Sequence, residues 1–234
     1  MLRVELEPGF ILHHRPFRDT STLLEAWCGA HGRIGLVARG ARGPRSRLRG
    51  VLQPFRPLLL SWQLRGELGT LTGAEAAGVA PRLPTGDALM GLYYLNELLL
   101  RLTARMDPHP ELYAAYADVV GALTAGAALA PELRRFEKNL LDALGYGPEL
   151  RRDAAGRQVE AESCYRYDPS LGLAPCRPET AGALQGASLL ALAEGTLAES
   201  RALADARRLL RAALDEHLDG RPLKTREMLS RLRG

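Results

Sequence analysis

The sequence has few of the residues that disulfide frameworks, membrane spans and secretion signals require. Its 234 residues contain three cysteines, Cys28, Cys164 and Cys176, an odd number at wide spacing that argues against a disulfide framework. No apolar run approaches the roughly 18 residues that a membrane span needs. Charged residues interrupt the N-terminal stretch, so we expect no signal peptide. The default expectation is a cytoplasmic protein.

Motifs that mark catalytic sites are also missing. The five histidines form no His-x-x-x-His pair around a Glu, and there is no phosphate loop, dinucleotide fingerprint or nucleophile elbow. A nuclease normally needs clustered carboxylates for Mg²⁺, and no acidic residue occurs between Glu25 and Glu67. The sequence therefore predicts a protein that is not an enzyme. An unrecognised nuclease or hydrolase is the alternative, and incubation with labelled DNA and Mg²⁺ tests it.

Positive charge is concentrated in the first third of the chain. Residues 1–80 hold eleven arginines against six acidic residues, a net +5, whereas the remaining residues hold 20 basic and 21 acidic groups, a net −1. A charge run is often only a solvated loop. The planar fork of Arg, however, binds phosphate oxygens with two hydrogen bonds, and these arginines lie on and beside a strand. We therefore predict a nucleic-acid surface made by Arg33, Arg39, Arg42, Arg45, Arg47 and Arg49.

The first 80 residues carry strand signals. Ile34, Leu36 and Ala38 alternate with outward positions, which predicts a strand with one buried face. Other strands are predicted at 9–13, 21–28, 50–63 and 67–72, all antiparallel. Pro54 and Pro57 limit how much of 50–63 can lie centrally in a sheet, and its part at 58–62 is expected to pair with 67–72. Because closure removes exposed edges, a small closed β-barrel is the economical arrangement.

Helical periodicity begins after a Pro- and Gly-containing linker near residue 80. It predicts helices at 87–106, 111–123, 131–144, 187–193, 200–218 and 225–232, with an irregular segment at about 145–185. The sequence thus indicates two domains, 1–80 and 81–234.

Aromatic side chains near the arginines are candidates for stacking on bases, as in single-strand binders. Trp27, Trp62 and Phe55 lie beside apolar residues and are expected in a core. Phe17, between Arg15 and Arg18, is the best candidate for an exposed ring.

Several segments, taken in order, resemble the RecO family of recombination mediators. They are 32–42 (GRIGLVARGAR), Ser46, 50–55 (GVLQPF), 74–75 (AE), 94–98 (YLNEL), 133–137 (LRRFE), 144–146 (LGY) and 220–226 (GRPLKTR). Each segment alone is weakly specific, but their order and spacing together cover nearly the whole chain. The resemblance implies an α+β multidomain protein, with an N-terminal OB-fold β-barrel followed by a mainly α-helical domain.

The resemblance also implies a function and partners. Members bind single- and double-stranded DNA, anneal complementary strands and, with RecR, help to load RecA onto DNA coated by single-strand-binding protein. Carried over by position, the six arginines fall on the family's DNA-facing barrel surface. Arg134 and Arg135 fall where the family docks the acidic C-terminal tail of single-strand-binding protein. No membrane partner is implied.

One departure from the family concerns zinc. Many members carry a four-cysteine zinc site after the Leu-Gly-Tyr element, but here residues 153–156 (DAAG) stand where the first pair would lie. Only Cys164 and Cys176 follow, so we predict no zinc and no other cofactor in this degenerate zinc-finger region. We expect the region to be held by packing alone. A protein-interaction adaptor, whose basic barrel binds an acidic protein, is the alternative function.

Overall fold

The computed structural model describes residues 2–79, 81–218 and 220–232, in two compact units. The first unit is Met1–Gly126 with Leu223–Gly234, and the second is Ala127–Pro222. The first unit therefore includes helices beyond residue 80, and the predicted domain boundary at 80 stays a prediction. Among the described residues, no helix is long and apolar enough to cross a membrane.

The first unit contains a closed five-stranded barrel. Its strands are β1 (Leu2–Phe17), β2 (Ser21–Cys28), β3 (Gly32–Ala38), β4 (Leu58–Leu64) and β5 (Gly69–Ala76), arranged in the order β1-β2-β3-β5-β4. The predicted OB-fold barrel is confirmed. The prediction that every pair is antiparallel is wrong, because β3 and β5 close the barrel as a parallel pair.

The barrel core follows from strand alternation. Ile34, Leu36 and Ala38 all point into it, as predicted, and Trp62 of β4 is fully buried there. Gly69 of β5 lies opposite Leu36, where an added Cβ would come within 2.7 Å of the leucine side chain. The closing pair therefore needs glycine for its close approach.

The connection from β3 to β4 differs from the prediction. A short helix, α1 (Leu48–Val51), and a loop occupy the first part of the predicted strand 50–63, and β4 begins only at Leu58. Pro54 and Pro57 explain the correction, because proline cannot donate a hydrogen bond to a sheet. The loop buries Phe55 completely, at a positive φ of 63°.

Three helices complete the first unit: α2 (Gly86–Leu102), α3 (Pro110–Thr124) and α7 (Lys224–Leu232). Buried Asn96 of α2 donates to the carbonyl of Leu12 in β1 at 2.8 Å and accepts from the Tyr116 hydroxyl of α3 at 2.6 Å. Burial raises the pKa of Tyr116, which keeps its hydroxyl a donor. These bonds fix α2 and α3 to the strand that carries His13 and Arg15.

The second unit combines α4 (Leu129–Ala143), α5 (Gly186–Glu194) and α6 (Ser200–Glu216) with a small sheet. The sheet contains β6 (Cys164–Asp168), β7 (Gly172–Cys176) and β8 (Leu184–Gln185), in the order β7-β6-β8. The prediction of an irregular 145–185 segment is therefore corrected. Gly172, at a positive φ of 87°, makes a tight hairpin, and Tyr165 and Leu173 bury one face of it.

Candidate nucleic-acid interface

Strands β1, β2 and β3 present an outer face with cationic groups. His13 lies opposite Glu25, Arg15 opposite Leu23, and Leu23 opposite Val37. Residues directly opposite each other in an antiparallel pair share a face. The residues next to them in sequence, Leu24 and Ala26 on β2 and Leu36 and Ala38 on β3, point into the barrel core. The side chains of His13, Arg15, Leu23, Glu25 and Val37 therefore lie on the outer surface of the barrel.

A cavity of about 250 Å³ lies on this face, lined by His13, Arg15, Leu23 and Glu25. Leu23 is only 8% exposed although it is outside the barrel core cluster, so it gives the cavity an apolar floor. The Arg15 guanidinium beside this apolar floor suits a nucleotide, whose phosphate is negative and whose base has an apolar face. The Glu25 carboxylate at the same cavity accepts hydrogen bonds from Arg33 and Arg105.

The loop between β3 and α1 carries the densest positive charge. We name residues 39–49 the basic loop, which includes the first two residues of α1, among them Arg49. Its five predicted arginines are all exposed: Arg39, Arg42, Arg45, Arg47 and Arg49. Within the described parts of the chain, no carboxylate lies at ion-pair distance from any of them. Their guanidinium groups are therefore available to an external anion.

Hydrogen bonds hold this basic loop against the β1–β2 turn. The backbone N–H of Arg42 donates to Thr20 O at 2.9 Å, and its Nη1 donates to Arg18 O at 3.4 Å. A turn at Gly40, whose φ is 67°, is closed by the N–H of Gly43 donating to Gly40 O at 3.0 Å. The loop is thus an ordered extension of the barrel.

Arg33 has different surroundings from the loop arginines. Its Nη1 donates to Glu25 Oε2 at 2.9 Å and its Nη2 to Thr103 O at 2.8 Å, and the side chain is only 16% exposed. Arg105, from the α2–α3 connection, also donates to Glu25, and this hydrogen bond raises the pKa of Arg105. The structure thus places Arg33 in a barrel–helix junction, apart from the exposed loop.

Three further arginines near the face were not among the predicted contacts: Arg15, Arg18 and Arg105. The basic stretch 13–18 (HHRPFR) could have indicated the first two, because it lies at the end of a strand next to an aromatic residue. Nothing local indicated Arg105, which reaches Glu25 across 80 residues of sequence.

Of the four aromatic candidates, only Phe17 keeps an accessible ring. Trp27, Trp62 and Phe55 are fully buried, as expected of core residues. Phe17 is partly buried, and the Arg18 guanidinium lies 5.3 Å from its ring centroid.

Comparison with known proteins identifies the family. Two family models match the chain: Recombination protein O N terminal over residues 1–79 and Recombination protein O C terminal over residues 83–227. The DNA repair protein RecO of Nitrosococcus oceani is 46% identical over 99% of this chain and 95% of its own length. The DNA repair protein RecO of Azoarcus sp. is 44% identical over 98% of this chain and 97% of its own length. The DNA repair protein RecO of Methylococcus capsulatus is 45% identical over 97% of this chain and 93% of its own length.

The chain belongs to the RecO family. RecO proteins are recombination mediators of DNA repair and are not enzymes, in agreement with the prediction from the missing catalytic motifs. The two RecO family models meet between residues 79 and 83, at the linker where strand signals give way to helices.

The two arginines predicted for the partner tail lie on helix α4 in unlike settings. Arg134 is 8% exposed, and its Nη2 donates to Glu137 Oε1 at 2.6 Å. The Arg135 side chain is 50% exposed and donates to Glu132. The buried pair orders the helix, whereas Arg135 presents its guanidinium at the surface.

The residues in the degenerate zinc-finger region of this chain do not fit a zinc site. Cys164 and Cys176 lie opposite each other on β6 and β7, and a structural zinc needs four ligands. Among the described residues, no group of three or more His, Cys, Asp or Glu could hold a metal ion.

Asp153 instead closes the loop at 153–157. Its Oδ1 accepts the backbone N–H groups of Ala155 and Arg157, each at 2.9 Å, and its Oδ2 accepts Arg157 Nε at 2.8 Å. These bonds overcome the effect of burial and lower the pKa of Asp153. The region is therefore held by specific hydrogen bonds as well as by packing, which corrects the expectation of packing alone.

Proposed function

We propose that this protein binds single- and double-stranded DNA through the outer face of β1–β3 and the basic loop at 39–49. In this proposal it acts in the cytoplasm, at the nucleoid. It anneals complementary strands and, with RecR, helps to load RecA onto DNA coated by single-strand-binding protein. The observation that carries the proposal is the set of five exposed loop arginines without an acidic partner within the described residues.

Charge neutralisation supplies the driving force. Arginines that contact phosphates release the counterions condensed on DNA, so binding weakens as salt rises. With about four to six phosphates contacted, the logarithm of the affinity for a single strand should fall with the logarithm of salt concentration at a slope of about −3 to −4.

The same surface accounts for annealing. Two complementary strands repel each other through their phosphates, and a concentrated positive face lowers that repulsion for both. Contacts to the backbone leave the base edges free to pair. The protein then brings two strands together without making or breaking a covalent bond.

A salt series on the full chain tests the proposal. The double variant Arg39→Ala, Arg42→Ala removes two exposed guanidinium groups and should reduce the magnitude of the slope by about 1.4 and slow the annealing of complementary oligonucleotides. The matched control is Arg82→Ala, Arg207→Ala, which removes two exposed arginines that belong neither to β1–β3 nor to the basic loop. If the first variant keeps the slope of the unchanged chain, DNA binds elsewhere and the proposal fails.

Recognition of the partner tail is assigned to Arg135 on helix α4. Both arginines pair with an acid of the same helix, Arg135 with Glu132 and Arg134 with Glu137, but only the Arg135 pair is exposed. The Arg135 guanidinium can therefore exchange Glu132 for a carboxylate of a short acidic peptide. Arg135→Ala should weaken binding of the acidic tail peptide of single-strand-binding protein and leave the DNA salt slope unchanged. If the peptide instead displaces DNA in a competition titration, the basic barrel serves an acidic protein, as in the adaptor alternative.

A further inference from the structure

Two segments that are remote in sequence meet in the first unit: Glu97 on helix α2 and the start of helix α7. Glu97 Oε1 accepts the backbone N–H of Lys224 at 2.9 Å. Its Oε2 accepts the backbone N–H of Thr225 at 2.9 Å and the Thr225 hydroxyl at 2.7 Å. Thr225 is buried, so its two bonds to Glu97 are partly shielded from water, whereas the bond to the N–H of Lys224 is exposed.

This contact acts as a helix cap supplied from another helix. The first N–H groups of a helix have no partner within it, and a carboxylate there also interacts favourably with the helix dipole. A further contact lies one residue on, where the Arg226 guanidinium is 5.6 Å from the Tyr94 ring centroid. Glu97 thus determines where α7 begins and which way its first side chains project.

The capped end of α7 lies close to the outer face of β1. Asn96, which precedes Glu97, donates to the carbonyl of Leu12, and Leu12 precedes His13. The side chain of Lys224 is exposed, and within the described residues no carboxylate lies at ion-pair distance from it. Burial is the main cause of the lowered pKa of His13. The charge of His14 lowers this pKa further, that of Glu25 opposes the change, and those of Arg15 and Lys224 add to it.

We propose that Lys224 is a further DNA-contact residue, and that Glu97 is the residue that positions it. The inference depends on the proposed function, because it extends the same binding face. That face then runs from the basic loop along β1, past Arg15 and His13, to the start of α7. The part of β1 from His13 to Phe17 spans about 14 Å at the rise of a β-strand, which matches about four phosphates of one DNA strand at about 3.4 Å each.

Substituting the lysine tests this inference directly. Lys224→Gln removes the charge from an exposed side chain, and it should reduce the magnitude of the single-strand salt slope by about 0.7 and weaken binding about fivefold at 0.1 M salt. Lys224→Arg should restore both. The matched control is Lys138→Gln, since Lys138 lies in the second unit and pairs with Asp142 at 2.7 Å.

The positioning role of Glu97 is tested by a double-mutant cycle. Glu97→Gln should reduce the magnitude of the single-strand salt slope by part of the amount that Lys224→Gln does. In a chain that already carries Lys224→Gln, the same substitution should reduce the slope little further. A purely structural cap would lower the melting temperature and leave the slope unchanged, which would overturn the positioning role. If Glu97→Gln does not fold, the lysine variants still decide the contact.

The outcomes separate this inference from the proposed function. If Lys224→Gln keeps the salt slope of the unchanged chain while the Arg39→Ala, Arg42→Ala variant has a reduced slope, the inference about Lys224 is wrong and the proposed function stands. A normal slope in the double arginine variant overturns the proposed function.

Discussion

Replacing Glu25 with Gln should weaken the fold and strengthen DNA binding at the same time. Glu25 is the carboxylate that Arg33 and Arg105 share on the barrel surface. The Arg105 guanidinium lies over β3, where a Cβ added at Gly35 would be 3.0 Å from Arg105 Cζ. Removing the carboxylate charge releases two guanidinium groups beside the proposed DNA face.

The stability cost can be worked out from the exposure of the partners. The side chains of Arg33 and Glu25 are 16% and 14% exposed, whereas that of Arg105 is 36% exposed and solvent-screened. A little-exposed charged hydrogen bond such as that between Arg33 and Glu25 contributes about 1.5–3 kcal/mol to folding stability. An exposed pair such as that between Arg105 and Glu25 contributes about 0–1 kcal/mol. Since glutamine keeps one acceptor, we expect a loss of about 2 kcal/mol, or a melting temperature lower by about 4–8 °C.

The gain in binding follows from the number of cations released. Each additional phosphate contact steepens the single-strand salt slope by about 0.7, so one or two released arginines tighten binding about 5- to 25-fold at 0.1 M salt. Thermal unfolding and fluorescence anisotropy on the same preparation measure both effects.

The control is Glu75→Gln, which removes an exposed acid from the same barrel. Glu75 holds no ion pair with the residues that the structure describes, so its removal reports the effect of net charge alone. If Glu25→Gln binds DNA no more tightly than Glu75→Gln, the released arginines do not reach the phosphates and the reasoning is wrong.

Two predictions concern pH. Burial, with neighbouring positive charges, lowers the pKa of His13 in the free protein, and a bound phosphate should raise it again. DNA affinity should therefore rise as pH falls from about 7.5 to about 5.5, and anisotropy titrations should show that His13→Gln removes part of this rise. Asp153 has a lowered pKa, so the stability it gives is present above about pH 4 and is lost as pH falls further. Asp153→Asn should reduce the stability of the second unit at neutral pH, and unfolding curves should show that its stability then falls less between neutral and acid pH. The control is Asp168→Asn, at a hairpin turn, which should leave most of this loss of stability at acid pH in place.

The sequence predicted those parts of the fold that local pattern determines. Alternation at Ile34, Leu36 and Ala38 gave the buried face of β3. Helical periodicity placed α2 to α7 within the described residues, although α2 ends at Leu102 and not at the predicted 106. The parallel pairing of Leu36 with Gly69 was not predictable, because barrel closure sets it and neither strand's own pattern does. The sheet within 145–185 was missed for a related reason, since its strands are short and its register is set by pairing.

The candidate site divides in the same way. Exposure of the loop arginines follows from Gly40, Gly43 and Pro44, which end the strand and keep the following residues out of the sheet. The surroundings of Arg33 depend instead on Glu25 in the neighbouring strand and on Thr103, 70 residues away in sequence. A count of arginines could not separate these two cases, because the acids that pair with them come from elsewhere in the chain.

Glu25 and Glu97 show how few acids decide the charge of this face. Glu25 accepts side-chain donors, so it neutralises two guanidinium groups that the sequence counts as free. Glu97 has one long ion pair, with Arg101 Nη2 at 3.8 Å. Its short hydrogen bonds are with the backbone N–H groups of Lys224 and Thr225, so it orders the chain while the Lys224 ammonium keeps its charge. A carboxylate that caps a helix can therefore add a cation to a binding face, and one that pairs with arginine removes cations from it. The effective positive charge should follow from which donors each acid accepts, and the opposite effects expected for Glu25→Gln and Glu97→Gln on the same salt slope put that principle to measurement.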